Sequence, residues 1–311
     1  MSNYFDFESS IEKLDDKIKS LEKSDIKDIE TIEKYKENKI QLFEQLYNQL
    51  TPWQKVQVAR HPNRPHAADY IKNIFYDFIA LAGDRKFSED RAIVGGLAKI
   101  DSFSVMVIGT EKGNTMESRL KHNFGMVKPE GYRKVQRLFI LAEKFNLPII
   151  TFIDTAGAFP GREAEERGQS ESIASTISAC LSVKTPIISI IIGEGGSGGA
   201  IALATADTVM MLKNSIYSVI SPEGCASILW RDSQAVQKAA DSLKLTADEC
   251  LKLKVIDKII PEKHGGAHRH KNEQFQIVKK QINEKLIDLK KTPIEDLIKV
   301  RNEKYLNITK I

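Results

Sequence analysis

Between Phe78 and Ile260, short runs rich in isoleucine and valine alternate with stretches of helical period, which confines the chain to a few layered architectures. The strand-like runs are Ala92–Ile100, Val105–Gly109, Pro148–Asp154, Pro186–Gly193, Thr208–Leu212, Tyr217–Ile220 and Val255–Ile260. Helical patterns occupy Gly131–Phe145, Glu163–Val183, Gly198–Ala206 and Asp232–Leu245. Strands apolar on both faces and joined by helices predict an α/β fold with a buried sheet. The first two runs are separated only by Asp101-Ser102, which reads as a hairpin, so a purely parallel sheet is not expected.

Two helical extensions flank this body. Residues 8–50 contain no glycine or proline and carry an apolar stripe, Ile11, Leu14, Ile18 and Leu21, followed by Leu42, Leu46 and Leu50. The pattern is an amphipathic arm, broken near Ser24-Asp25, whose stripe must be covered by the body or by a partner. Arg60-His61-Pro62-Asn63-Arg64-Pro65 is too proline-rich to continue a helix and reads as a connector. The charged tail returns to helical spacing through Ile277, Ile282, Ile287 and Ile298. The expected division is residues 1–65 for arm and connector, 66–269 for the body and 270–311 for the C-terminal extension.

Charge and cysteine content exclude several functions. With 46 basic and 42 acidic residues, the net charge of +4 is too small to predict DNA binding. Three scattered cysteines, Cys180, Cys225 and Cys250, form neither a zinc set nor a disulfide framework. Pro186–Gly193 is too short to cross a bilayer and the first residues do not resemble a secretion signal, so a cytoplasmic protein without membrane insertion is expected.

The most informative segment is Ile187–Ala204, a strand followed by five glycines among the seven residues Gly193–Gly199 and then by a helix of small residues. Glycines let the backbone approach a ligand, and the first helical turn adds unpaired N–H groups and the positive end of the dipole. Gly193-Glu-Gly195-Gly-Ser-Gly198 matches a dinucleotide fingerprint, but the next strand ends Met210-Met211-Leu212-Lys213 without the acid that ribose needs. Gly195-Gly-Ser197-Gly-Gly199 also matches a nucleophile elbow, with Asp207 or Asp232 and His264 or His268 available to complete a triad. The third reading makes the amides of Gly198 and Gly199 an oxyanion hole, which needs donors and no nucleophile. A purely structural turn would explain one or two of the glycines.

A second turn follows the preceding strand: Asp154-Thr-Ala-Gly157-Ala158-Phe159-Pro160-Gly161. Adjacent strand ends carrying such loops can line one pocket from two sides. These residues, with Ala-Gly-Asp-Arg (82–85), Ala-Ile-Val-Gly-Gly (92–96), Asn-Phe-Gly-Met (123–126) and Pro-Glu-Gly-Tyr-Arg-Lys (129–134), resemble the alpha subunits of acetyl-CoA carboxylase carboxyltransferases. Glu-Glu-Arg-Gly-Gln-Ser-Glu (165–171), Gly-Glu-Gly-Gly-Ser-Gly-Gly-Ala (193–200), the string from Tyr217 to Trp230, and Gly-Gly-Ala-His-Arg (265–269) extend the resemblance over the chain. Ala156 and Phe159 depart from it, where many relatives carry Pro or Lys and Tyr.

The resemblance implies a crotonase-like (ClpP/crotonase) spiral of ββα units with helical N- and C-terminal extensions. It implies carboxyl transfer from carboxybiotin, held on a biotin carboxyl carrier protein, to acetyl-CoA, giving malonyl-CoA for fatty acid synthesis. Gly198 and Gly199 would then receive the biotin ureido oxygen through their amides, with Gly157 and Ala158 as the facing wall and Gly195 and Gly196 among the substrate-binding residues. No metal is expected on this chain. Zinc and most acetyl-CoA contacts would belong to a beta subunit, in an α2β2 assembly that works with biotin carboxylase. In such enzymes the biotin nitrogen can take the methyl proton, so no side-chain base is demanded.

Other polar residues have plainer readings. Glu194 reads as a solvated loop acid, and Arg133, Lys134 and Arg137 as an exposed helix face. With Lys112, those three could also hold coenzyme A phosphates or the carboxylate in transit. His264, His268 and His270 have metal-like spacing without a sufficient ligand set. Ser221-Pro222-Glu223-Gly224 shapes the pocket by its turn. Two other classes compete: a self-sufficient acyl-CoA hydratase or thioesterase using Glu163, Glu165 or Glu166, and a scaffold organised by the helical arms.

Overall fold

The computed structural model describes residues 4–24 and 28–308. Asp25, at the expected break of the arm, lies outside the described residues. The arm is a helical hairpin of α1 (Ser9–Glu22) and α2 (Ile29–Asn48). Its most buried apolar residues are Ile11, Ile18, Ile32, Phe43 and Tyr47, with Leu42 and Leu46 less buried. Ile11, Phe43, Tyr47 and Leu50 pack with Val58 of the following segment, so part of the stripe is covered within this chain. Glu8, buried below the arm, receives Tyr47 Oη at 2.7 Å and the Arg269 guanidinium at 2.9 and 3.0 Å.

The connector is more ordered than its prolines suggest. Thr51 caps α3 (Pro52–Ala59) by accepting from Gln54 N, while the Gln54 side chain accepts from Thr51 N. Only Arg60–Pro65 is irregular, as expected of that proline cluster, and α4 (Ala67–Ile74) follows at once.

The sheet begins with β1 (Tyr76–Ala80), an edge strand that the sequence pattern does not reveal because four of its five residues are exposed. The hairpin of β2 (Ile93–Ile100) and β3 (Phe103–Thr110) turns at Asp101, φ 45°, as the sequence predicts. After α5 (Met116–Lys121) and α6 (Pro129–Lys144) come β4 (Ile149–Thr155), α7 (Arg162–Glu166) and α8 (Gln169–Ser182). The single helix expected over 163–183 is thus two, because Gly168 adopts φ +79° and breaks it.

The chain continues through β5 (Ile187–Gly196), α9 (Ser197–Ala204), β6 (Thr208–Leu212), β7 (Ile216–Ser218) and α10 (Pro222–Leu229). Only Val236–Ser242 of the helix expected over 232–245 is α-helical (α11), and α12 (Ala247–Lys252) precedes β8 (Lys258–Ile260). The tail forms α13 (Lys271–Lys290) and α14 (Ile294–Asn307), separated by Thr292-Pro293. Among the described residues no helix is long and apolar enough to cross a membrane.

The strands form a mixed sheet in the order β1-β2-β3-β4-β5-β6-β8, parallel from β3 onward. Strand alternation divides the core in two. Ile149, Ile153, Ile187, Ile191, Val209 and Met211 pack towards α6, α8 and α9. Ile150, Phe152, Ile188, Ile190, Met210 and Leu212 pack against α4 and α13. On the edge away from β4, long β5 serves two partners in turn: Ile188–Ile191 pairs with β6, while Glu194–Gly196 pairs with β7. This change of partner carries the chain off the sheet's main path where the glycine-rich segment begins.

Candidate functional site

Strands β4 and β5 are parallel neighbours, so their C-terminal ends and the turns that follow lie side by side. β5 passes into α9 without an intervening loop, through Ser197 at φ 52°. This left-handed conformation is rare for a non-glycine residue and costs about 1 kcal/mol or more. No side chain caps α9. Its first N–H groups, including those of Gly198 and Gly199, therefore lack the partners that helical geometry would supply further along.

The glycines of the segment answer different demands. A Cβ on Gly199 would fall 2.7 Å from Gly157 C and 2.8 Å from Ala158 N, so the two turns are in backbone contact there. At Gly196 it would fall 2.2 Å from Ala156 O, and at Gly193 2.4 Å from Asp154 Oδ1. At Gly195 it would meet the Tyr217 ring at 2.9 Å. Gly198 is different: its nearest neighbour, Ile173 Cγ2, is 3.7 Å away. Packing thus explains the absence of a side chain at 193, 195, 196 and 199, but not at 198.

All six residues singled out in the sequence are brought to these two strand ends, although not as equivalent donors. Gly195 and Gly196 pair with Tyr217 and Ser218 in the β5–β7 ladder. Gly157 donates its N–H to Thr155 Oγ1 at 3.1 Å, so it contributes shape more than a hydrogen bond. Ala158 bridges to Val127, whose carbonyl accepts from Phe159 N at 3.0 Å.

The expectation of a solvated Glu194 is incorrect. Its side chain is buried and accepts from Arg60 Nη2 at 2.6 Å and Nε at 3.0 Å. Arg60 Nη1 also reaches Glu223 at 2.6 Å, tying the start of α10 to the same group. Lys112 Nζ lies 2.7 Å from Asp154 Oδ1 and 3.4 Å from Glu194 Oε2. Burial pushes the Glu194 carboxyl upward, but Lys112 and Arg60 outweigh it and hold the pKa below the usual range. Burial likewise works against the Lys112 ammonium, and Asp154 and Glu194 prevail, raising its pKa. A cavity of about 210 Å³ adjoins this network, bordered by Arg60, His66, Lys112, Phe124, Asp154 and Ala156.

Neither Lys134 nor Arg133 belongs to an exposed face. Lys134, 3% exposed, donates to Glu89 and to Ile93 O, because this face of α6 packs under the β2 entry. Arg133 is bound to Asp84 at 2.9 Å, and Arg137 donates to the carbonyls of Ala82 and Gly83. The triad candidates are engaged elsewhere. Asp207 holds Arg301, Asp232 accepts from Gln234 N, and His268 stacks on His61 at 3.9 Å. Burial, His61 and Arg269 push the His268 imidazole down to about 2. Among the described residues Ser197 has no hydrogen bond to a histidine or a carboxylate, and no group of three metal-ligating side chains is assembled.

Arg60 and Asp154 are site-supporting residues that sequence reasoning missed, and Glu223, read only as part of a pocket-shaping turn, pairs with Arg60. One signal was available: Asp154 is the charged residue near the end of an otherwise uncharged parallel strand. Nothing in the spacing connects Arg60 with Glu194, 134 positions away.

Comparison with known proteins gives concordant results. Residues 4–309 match the family model described as acetyl co-enzyme A carboxylase carboxyltransferase-like. The chain is 52% identical over 310 residues to the acetyl-coenzyme A carboxylase carboxyl transferase subunit alpha of Rhodospirillum centenum, covering 98% of each. It is 52% identical over 311 residues to the same subunit of Zymomonas mobilis, covering 99% of each. Among solved structures, it resembles a chain of a Pseudomonas malonate decarboxylase hetero-tetramer in complex with coenzyme A, with a TM-score of 0.59 and 14% identity. That match covers 76% of this chain and 92% of the other. A transcarboxylase 12S chain matches with a TM-score of 0.55 and 17% identity over 69% of this chain, which spans only 42% of that one. At such identities these structures establish likeness of fold.

Proposed function

The chain belongs to the acetyl-CoA carboxylase carboxyltransferase family, and from that premise we propose that its two strand-end turns receive carboxybiotin in a carboxyl transfer that turns acetyl-CoA into malonyl-CoA. The fold is crotonase-like and the chain is a carboxyltransferase subunit. The observation that carries the assignment of the site is the uncapped first turn of α9, set in backbone contact with the Gly157-Ala158 turn.

Carboxybiotin, brought by a carrier protein, supplies the carboxyl group and leaves a ureido oxygen on which negative charge collects. In the proposed site the N–H groups of Gly198 and Gly199 donate to that oxygen, helped by the positive end of the α9 dipole. Removing one such donor typically costs about 3 kcal/mol of transition-state stabilisation. Gly157 and Ala158 form the facing wall. Gly195 and Gly196 set the strand end so that the second turn lies against it. The cradle suits a planar neutral group that becomes anionic, because the nearby cations Lys112 and Arg60 are already engaged with carboxylates.

A beta subunit completes the site in this reading, supplying zinc and the acetyl-CoA contacts in a cytoplasmic α2β2 assembly with biotin carboxylase and the carrier. Exposed apolar side chains on α9, after β7 and on α10 support closure by another chain. Val219, 71% exposed, follows the residue paired with Gly196, and Ile201, Ile228 and Leu229 are also exposed. A self-sufficient hydratase or thioesterase is not favoured, since Glu163, Glu165 and Glu166 all lie on an exposed helix.

The decisive test is malonyl-CoA formation from acetyl-CoA and a carboxybiotin donor, with this chain alone and mixed with its beta partner. Activity confined to the mixture is expected. Turnover by the chain alone would refute the divided site, and silence in both with the partner bound would favour the scaffold.

A further inference from the structure

The ladder between β4 and β5 is irregular where the two turns begin. Ile153 pairs with Ile191, but Thr155 pairs with Gly195, so three residues of β5 stand opposite Asp154 alone. Such a bulge leaves backbone groups without their regular partners and re-aims the strand. Here the Asp154 side chain fills the gap: Oδ1 accepts from Glu194 N at 2.9 Å, and Gly193 has no room for a Cβ beside it. The Asp154 backbone N–H is held separately, by Thr110 Oγ1 at 2.6 Å.

This arrangement brings two buried carboxylates together. Asp154 and Glu194 retain 4% and 9% side-chain exposure, and the Lys112 ammonium contacts both. Like charges in such surroundings repel strongly unless a cation separates them. Arg60 neutralises Glu194 from the far side but forms no ion pair with Asp154.

The neighbouring Asn-Phe-Gly segment is shaped to this lysine. Asn123, Phe124 and Gly125 all have positive φ, 48°, 56° and 78°. A Cβ on Gly125 would lie 2.7 Å from Lys112 Cγ and 3.0 Å from Asp154 O. Two strained non-glycine residues followed by a glycine thus lay the backbone directly over the lysine stem.

We propose that Lys112 is the positioning residue of the site: its ammonium, bridging Asp154 and Glu194, fixes the bulge that sets the Gly157-Ala158 turn against the first turn of α9. It acts through these turns and does not touch substrate. The inference rests on the assignment of those turns to the carboxyltransferase site.

The test compares Lys112→Met and Lys112→Arg in the full chain, assembled with its beta partner. Lys112→Met is expected to lower kcat about 100-fold, the scale of loss that a 1 Å misplacement produces, with KM for acetyl-CoA changed less than about twofold. Lys112→Arg should recover most of kcat. A kcat for Lys112→Met within about threefold of wild type would overturn the proposal. So would a loss that Lys112→Arg does not recover.

Amide hydrogen exchange separates this outcome from failure of the functional assignment, since it needs no turnover. In Lys112→Met, exchange should accelerate in peptides covering 154–161 and 193–201, with the rest of the sheet unchanged and Lys112→Arg resembling wild type. Unchanged exchange in those two peptides sinks the positioning role even if the wild-type chain transfers no carboxyl group. Faster exchange with an inactive wild-type assembly would instead leave the clamp standing and refute the assigned function.

Discussion

Two adjacent glycines of the same motif predict opposite behaviour when substituted. Gly199→Ala places a methyl group 2.7 Å from backbone atoms of the facing turn, which cannot rotate away. A destabilisation of about 1–3 kcal/mol, together with loss of activity, is expected from such overpacking. Gly198→Ala meets only Ile173 Cγ2 at 3.7 Å and lies in a helix, where alanine is favoured by up to about 1 kcal/mol. Its stability should therefore be equal or higher. If the amide beside it receives the ureido oxygen, the added methyl group crowds that approach and kcat falls by about tenfold or more. Thermal unfolding and steady-state kinetics on the two variants read both effects. A Gly198→Ala enzyme with unchanged kcat would remove the reason for placing the oxyanion there.

The glycine motif was legible in the sequence, but not the division of labour within it. Five glycines look interchangeable in one dimension. Only the neighbouring strands β4 and β7 and the turn after β4 distinguish those that give room to backbone or side chains from the one that leaves space open. Glu194 teaches the same lesson from the opposite side. A glutamate between glycines reads as loop surface until Arg60 and Lys112 arrive from distant segments.

At the scale of elements, α14 has a fully buried cationic anchor, assisted by Lys304 and Tyr305, which bond to the backbone of Ala204, Ala206 and Asp207. Arg301 is fully buried and donates to the carbonyls of Cys180, Val183 and Thr185 and to both oxygens of Asp207. It joins the C-terminal extension to the end of α8 and to the loop before β6. Removing one partner of a buried, hydrogen-bonded pair costs about 3–5 kcal/mol, because the other charge is left uncompensated. Arg301→Met should show that loss in denaturant unfolding, with Asp207→Asn recovering part of it in the double variant. Additive losses would mean that the two residues act independently.

Strand and helix placement followed from pattern where burial was two-sided. Ile149–Thr155 and Ile187–Gly196 are buried throughout, so their apolar runs could hardly be missed. β1 was missed because it is a mostly exposed edge strand, and α5 and α12 because six residues are too few to display a period. The helix expected over 163–183 was split by the φ of Gly168, a property of a single residue to which periodicity is blind.

For the whole molecule, the arm and the body meet in a small charged contact. Glu8 is fully buried between Tyr47 of α2 and Arg269, which closes the Gly-Gly-Ala-His-Arg loop. Arg269→Gln should weaken the attachment of α1 and α2 while sparing the sheet. Limited proteolysis should then cut first within the arm, at protease concentrations that leave wild type intact. Cleavage spread evenly over the chain would show that this contact instead supports the body.

The sequence by itself determined the class of architecture, the hairpin that opens it and the presence of amide-bearing turns, because these depend on short-range periodicity and on backbone freedom encoded residue by residue. Its long strings also determined the family. Tertiary structure alone decided which glycines face backbone and which face open space, and that Lys112, Arg60, Asp154 and Glu194 form one buried network. Those facts depend on which strand ends become neighbours. Coulombic and steric interactions act through space, and the separations along the chain, 82 positions from Lys112 to Glu194 and 134 from Arg60, leave no local trace of them.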